Sequence, residues 1–225
     1  MGAIGLLLAG LILLGIPETL KPEHRLTGPV FQSFLSFGTL LKQPGFFGEL
    51  LITGVVYGSL FSYSAASTFI YQQLFHLSAQ SFSLIYALNG LGIVIGSALP
   101  GRLTGVSTYR QLISGLGFCI VDSVALLLGA YLQWRLVTIA TLIFLVVIGV
   151  GLLLTLTTAI IMGKTSENAG GASALIGLSQ NAFGGISSPL VGLFGTSSLA
   201  PMVGLVLVYN LIAVGVAYHI HHQNR

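Results

Sequence analysis

Leu77–Arg110 reads LSAQSFSLIYALNGLGIVIGSALPGRLTGVSTYR, and the reading of this stretch decides the fold. It opens on a polar turn and continues as one long apolar run. Within that run Asn89, Gly92, Gly96 and Pro100 recur at spacings of three and four. An apolar helix of about 20 residues spans a bilayer. Small residues four apart on one face let a second helix approach closely. The run ends on a short loop bearing Arg102 and Arg110, and basic loops mark the cytoplasmic side of a membrane protein. One segment thus supplies a span, a packing face and an orientation, and the rest of the chain repeats the pattern.

Composition extends this reading to all 225 residues. Only 6% are charged and 54% are hydrophobic, with a mean hydropathy of +0.96. A soluble domain carries about 25% charged residues, so this chain cannot cover a water-facing surface and is read as an integral membrane protein. Thirty glycines suit close-packed membrane helices rather than disorder. The net charge of +3 is small and scattered, which speaks against a nucleic-acid partner. Cys119 is the single cysteine and lies in an apolar run; it excludes an intramolecular disulfide framework and forms no metal pattern. No cofactor is expected.

Taken in order, the chain divides into a short helix, a loop and a bundle. Residues 1–16 are apolar and at the lower limit for a span. They lack a basic leader and a small-residue cleavage site, so they read as a clipped helix and not as a signal peptide. The clipping points to a start upstream of Met1. Residues 17–45 form the longest polar connection, with Lys21, His24, Arg25 and Lys42 among Pro22, Pro29 and Pro44. Within it, 30–41 is a candidate interfacial helix. Residues 46–225 form a bundle of six full spans, at about 46–71, 79–101, 109–131, 136–162, 168–194 and 199–220. Gly195–Ser198 reads as the turn between the last two.

Orientation follows from the basic residues. If 17–45 is cytoplasmic, strict alternation places Lys21, Arg25, Lys42, Arg102, Arg110, Lys164 and Arg225 on that side and only Arg135 on the other. That asymmetry puts the C-terminus in the cytoplasm and makes this a multi-pass protein of the cell membrane.

Several motifs carry a resemblance. Phe61-Ser62-Tyr63 through Ser67-Thr68-Phe69, then Gln72, Phe75, Ser78, Phe82, Tyr86-Ala87-Leu88-Asn89, Gly92, Gly96-Ser97 and Gly101-Arg102 resemble helices seven and eight of the bicyclomycin-resistance (Bcr/CflA) drug transporters. These belong to the drug:proton antiporter branch of the major facilitator superfamily. Gly171 to Gly177 with Gln180, Gly184 and Pro189-Leu190-Val191-Gly192 resemble their helix eleven, and Pro17–Leu20 the end of helix six. There are departures: Thr68 stands where the family usually has Pro, and Pro100 where it usually has Asn. The family has twelve spans, so the resemblance implies an all-α C-terminal half preceded by a clipped helix, with the N-terminal half as its expected partner. The implied function is proton-coupled efflux of amphipathic small molecules. The alternatives are an inactive fragment and, remotely, an intramembrane hydrolase.

The resemblance also assigns candidate residues. Tyr57, Phe61, Tyr63, Gln72, Asn89, Gln180 and Asn181 fall on helices that line the central cavity in that family. Aromatic walls with a few amides suit large, weakly specific substrates, and interhelical packing and hydrogen bonding is the plainer account of each taken singly. Gly101, Arg102 and Arg110 resemble the family's conformational loop; simple topology anchoring is the alternative. Asp122 is the one acid deep inside a span and hence a proton-coupling candidate. Its implied place on an outer helix favours a neutral, hydrogen-bonded role. Lys164 and Glu167 are a candidate solvated pair. A Ser173–His219 nucleophile pair competes with close packing of small residues in Gly170–Ser173. His219, His221 and His222 read as a helix end at headgroup depth rather than a metal site.

Overall fold

The computed structural model describes residues 2–15, 37–165, 168–193 and 198–223. Among them the regular structure is helical: α1 (Gly2–Gly15), a one-turn helix α2 (37–41), α3 (Phe46–Thr68), α4 (Ala79–Arg102), α5 (Thr108–Tyr131), α6 (Leu136–Lys164), α7 (Ala169–Leu193) and α8 (Ala200–Gln223). The loop residues Lys21, His24 and Arg25, the acid Glu167, most of the Gly195–Ser198 turn and Arg225 lie outside the described residues.

Among the described residues, five helical segments are long and apolar enough to cross a membrane: Phe46–Leu74, Ala79–Arg102, Thr108–Tyr131, Leu136–Lys164 and Ala200–His222. The sixth expected span forms as α7, with 25 residues. It does not reach the same apolarity because Ser, Gln, Asn and Gly interrupt it. These side chains are tolerated where α7 faces protein: Ser179 donates to the Leu50 carbonyl of α3 at 2.7 Å. Helix α1 has 14 residues, short of the about 20 a bilayer asks for. Its side chains are exposed almost throughout.

The packing has an internal symmetry. The two most extensive interfaces are α3 with α7 and α4 with α6; the next are α3 with α8 and α5 with α6. Exchanging α3, α4 and α5 for α6, α7 and α8 turns each interface into its counterpart. Two three-helix units related in this way are the architecture expected of a repeat-built transporter half.

Small residues make both principal interfaces close. A side chain on Gly96 would run into the Ile148 carbonyl of α6, and one on Gly151 into the backbone of Ile93 in α4. At the other interface a side chain on Gly184 would press on the Phe61 ring at 3.1 Å, and one on Gly58 would meet Ser187 Oγ at 2.8 Å. Such backbone approach gains dispersion contacts, which drive association where lipid is as apolar as the helices. The small-residue face of Leu77–Arg110 therefore packs against α6.

Buried hydroxyls bond within their own helices: Thr53 to the Glu49 carbonyl at 2.9 Å, Ser62 to Gly58 at 2.8 Å and Thr157 to Leu153 at 2.9 Å. They add small volume without stranding a polar group. On the outside, large apolar side chains such as Leu84, Leu91, Val94, Val121 and Leu211 are exposed. Hydrocarbon rather than water is the solvent this surface fits.

The starts of α3, α5 and α7 and the ends of α4, α6 and α8 share one end of the bundle. Phe46, Ile161 and Ala172 pack there in one cluster, and the Tyr109 and His221 rings stack at 4.4 Å. Lys42, Arg102, Arg110 and Lys164 lie at this end. Arg135, at the start of α6, lies at the other.

Candidate functional site

The middle of α3 and the facing turn of α4 enclose a cavity of about 240 Å³. Phe61, Tyr63 and Ser64 come from α3, Tyr86, Asn89 and Ile93 from α4, and Val147 from α6. Tyr63 and Asn89 are buried. The Asn89 amide donates to Tyr63 Oη at 2.6 Å. The Tyr63 and Tyr86 rings stack at 6.0 Å, and Tyr86 Oη shares a 2.9 Å hydrogen bond with Ser64. Two hydrogen bonds and one ring pair thus join α3 to α4 along the cavity wall. The aromatic surface continues through Phe82 to Tyr71. The Tyr71 hydroxyl lies next to Asn89 and the Tyr63 hydroxyl, yet outside hydrogen-bond geometry with either, and is buried without a partner.

The helix carrying these residues changes form beside them. After Thr68 it widens into a π-helical turn, Phe69–Leu74, closed by Phe75 N–H donating to the Ile70 carbonyl at 3.1 Å. It ends at His76, a non-glycine residue at φ 53°. Thr68, at the position where the resembled family usually has a proline, immediately precedes this turn. π turns of this kind occur often at functional sites, and here the turn carries Tyr71 and Gln72.

Of the seven candidate wall residues, the structure brings Phe61, Tyr63 and Asn89 to this cavity, with Tyr57 5.0 Å from the Phe61 ring. Gln72, Gln180 and Asn181 are not among its lining residues. Gln72 and Gln180 are half-buried; Asn181 is exposed and donates to its own helix at Gly177, 2.8 Å away. Tyr86 and Ser64 complete the polar ring of the wall. Tyr86 belongs to the Tyr86–Asn89 motif, but its pairing with Ser64, 22 residues away, has no local signal in the sequence.

The arginine loop is short and ordered from within. Gly101, Arg102 and Arg110 are exposed. Gln111, absent from the sequence-based candidates, holds the loop: its amide donates to the carbonyls of Leu103 at 2.9 Å and Val106 at 2.8 Å. Lys164 forms its ion pair with Glu49 at the start of α3. Glu49 is the acid that sequence reading passed over, because its partner lies 115 residues away.

Asp122, on α5, is buried, with one carboxylate oxygen lacking a hydrogen-bond partner. The neighbouring Ser123 takes the available partners instead: it donates to the Cys119 carbonyl at 2.6 Å and accepts from Asn210 at 3.1 Å. Ser173 on α7 and His219 on α8 are both exposed. Among the described residues no cluster of three or more His, Cys, Asp or Glu side chains is placed to hold a metal.

A family model, the Major Facilitator Superfamily, matches residues 1–189. The chain is 35% identical over 210 residues to an uncharacterized MFS-type transporter, YdgK, of Bacillus subtilis (strain 168), covering 93% of this chain and 52% of that one. It is 25% identical over 222 residues to a bicyclomycin resistance protein homolog of Haemophilus influenzae, covering 98% of this chain and 56% of that one. The chain thus spans about half the length of the curated relatives it matches. Members of this family are transporters and not enzymes, which removes the ground for a Ser173–His219 hydrolase. Three-helix repeats of the kind seen in this bundle are a feature of that superfamily, and the chain belongs to the major facilitator superfamily.

Proposed function

We propose that the chain is the C-terminal half of a twelve-helix drug:proton antiporter and supplies one wall of a path for amphipathic small molecules. The observation that carries this reading is the cavity between α3 and α4, with the Tyr63–Asn89 pair set in an aromatic wall. Ring faces accept flat apolar bodies of varied shape, and a few amide and hydroxyl groups orient them. The unpartnered Tyr71 hydroxyl beside the pair is a further group for a substrate to engage. Tyr57, Gln72, Gln180 and Asn181 would contribute once a second half closes the path. The resistance named for the Haemophilus relative supports drugs as the substrate class.

The mechanism in this reading is rocking of two halves about a midplane cavity. The Arg102–Arg110 end faces the cytoplasm of the cell, and the two arginines anchor that face or latch onto acids of the other half. Proton coupling within this half would fall to Asp122, the acid deep inside a span.

Co-expression tests the reading. The chain, produced with the N-terminal half of the Haemophilus relative in a pump-deleted bacterial host, should raise resistance to bicyclomycin, and Asn89→Ala should lower it. Unchanged susceptibility with both halves confirmed in the membrane would refute the proposal.

A further inference from the structure

A second cavity, of about 360 Å³, lies at the end of the bundle opposite the arginine loop. The π turn that ends α3, the turn between α5 and α6 and the residues before α8 surround it. Leu74, Phe75 and Leu199 give it apolar walls, and Gln133, Trp134 and Ser198 line it with polar groups. It shares no residue with the mid-span cavity.

The polar groups are open to a ligand. Gln133 and Ser198 are exposed and Trp134 is half-buried. Among the described residues the Gln133 amide and the Trp134 indole N–H have no hydrogen-bond partner. Ser198 Oγ accepts from the Ala200 N–H at 3.3 Å, and its own proton remains to be donated. The fold sets these donors in place. Gln133, at φ 50°, closes α5, with the Trp134 N–H donating to the Gly129 carbonyl at 3.0 Å. Gly129 makes room for the indole: a side chain there would come within 2.7 Å of Trp134 Cε3. The ring therefore rests on α5 by the edge away from its N–H.

Three donors on one cavity call for an acceptor. None of the lining residues is acidic, so nothing there favours a cation. Arg135 follows Trp134 directly, is exposed, and among the described residues has no ion-pair partner. The balance favours an anion with several acceptor oxygens. The depth is that of headgroups, since exposed Tyr131, Trp134 and Arg135 together are an interfacial set. Interfacial anchoring explains Trp134 and Arg135 one at a time. It does not explain why Ser198 and Phe75, from other parts of the chain, close a cavity with them.

We propose that this cavity seats the phosphodiester headgroup of a phospholipid. The phosphate oxygens accept from Gln133, Trp134 and Ser198 beside the Arg135 charge, and the glycerol end lies against Phe75 and Leu199. This proposal does not depend on transport, because binding is measured on the chain by itself.

Trp134 is the only tryptophan, so the fluorescence of the full chain in detergent reports on this site. The probe is dioctanoyl phosphatidylglycerol, compared with dioctanoylglycerol, which lacks the phosphate, and with inorganic phosphate, which lacks the lipid. The phospholipid should shift the emission saturably, at a concentration at least tenfold below that needed of dioctanoylglycerol or of phosphate. Gln133→Gly combined with Arg135→Gln removes two of the groups and keeps the reporter, and glycine readily adopts the backbone at 133. It should raise the half-saturating concentration at least tenfold. Size-exclusion profiles check that the variant is folded. If it is not, quenching of the wild type decides: phosphatidylglycerol brominated on its acyl chains should quench Trp134 more strongly than brominated diacylglycerol. Equal effects of phospholipid and diacylglycerol, saturation by inorganic phosphate at the same concentration, or unaltered binding in the folded variant would overturn the proposal.

Discussion

The amide of Asn89 donates a 2.6 Å hydrogen bond to the hydroxyl of Tyr63, and both residues are buried where α4 meets α3. Interhelical hydrogen bonds in membrane proteins contribute about 0.5–2 kcal/mol. Tyr63→Phe leaves the Asn89 amide without this acceptor and should destabilise the bundle by an amount in that range. Asn89→Leu should cost a similar amount. Because the two share one bond, the double variant should lose less than the sum. Thermal unfolding in detergent measures all three.

Gly96 sits where a side chain would strike the Ile148 carbonyl, while a side chain on Gly90, on the same helix, meets nothing within 4 Å. Overpacking typically costs about 1–3 kcal/mol where neighbours can shift; a backbone carbonyl in a membrane helix has little room to do so. Gly96→Val should therefore separate α4 from α6 and reduce the yield of monodisperse protein. Gly90→Val should not. Size-exclusion chromatography of the two variants provides the comparison.

Lys164 holds one oxygen of the buried Glu49, and its own side chain is 41% exposed. Removing one member of a buried pair strands the other, at about 3–5 kcal/mol when burial is complete; the exposure of Lys164 places this pair below that range. Lys164→Met should lower the unfolding temperature more than Glu49→Leu combined with Lys164→Met, which removes the stranded charge as well. Calorimetry or a fluorescence melt separates the two.

Asp122 is buried and leaves one oxygen unpartnered. Asp122→Asn keeps the shape and removes the ionisable group, so the bundle should be at least as stable as the wild type, within about 1 kcal/mol. Drug resistance in the co-expressed pair reads the proposed coupling role separately: it should fall if the proton passes through this acid.

Sidedness is open to direct labelling. Gly105 lies in the arginine loop and Gln133 in the turn before α6, at opposite ends of the bundle, and both are exposed. In intact cells a membrane-impermeant maleimide should label Gln133→Cys, and should reach Gly105→Cys only after permeabilisation. Cys119, at 1% exposure, should contribute no background.

Sequence by itself determined the spans of this protein, and it did so for a local reason. The energetic demand that a run of about 20 residues be apolar is met or failed by neighbours in the chain, so α4 at Ala79–Arg102 and α6 at Leu136–Lys164 lie within a few residues of their expected limits. The small-residue face of Gly92 and Gly96 was legible for the same reason, since helical spacing alone puts them on one side. Which helix that face meets was not. Nor was the union of Glu49 with Lys164, the closure of the arginine loop by Gln111, or the enclosure of Phe61, Tyr63 and Asn89 around one cavity while Gln180 and Asn181 stay outside it. These depend on how each helix is rotated and how deep it sits against its neighbours. That is decided by the sum of many weak side-chain contacts across the bundle, and only the tertiary structure expresses it.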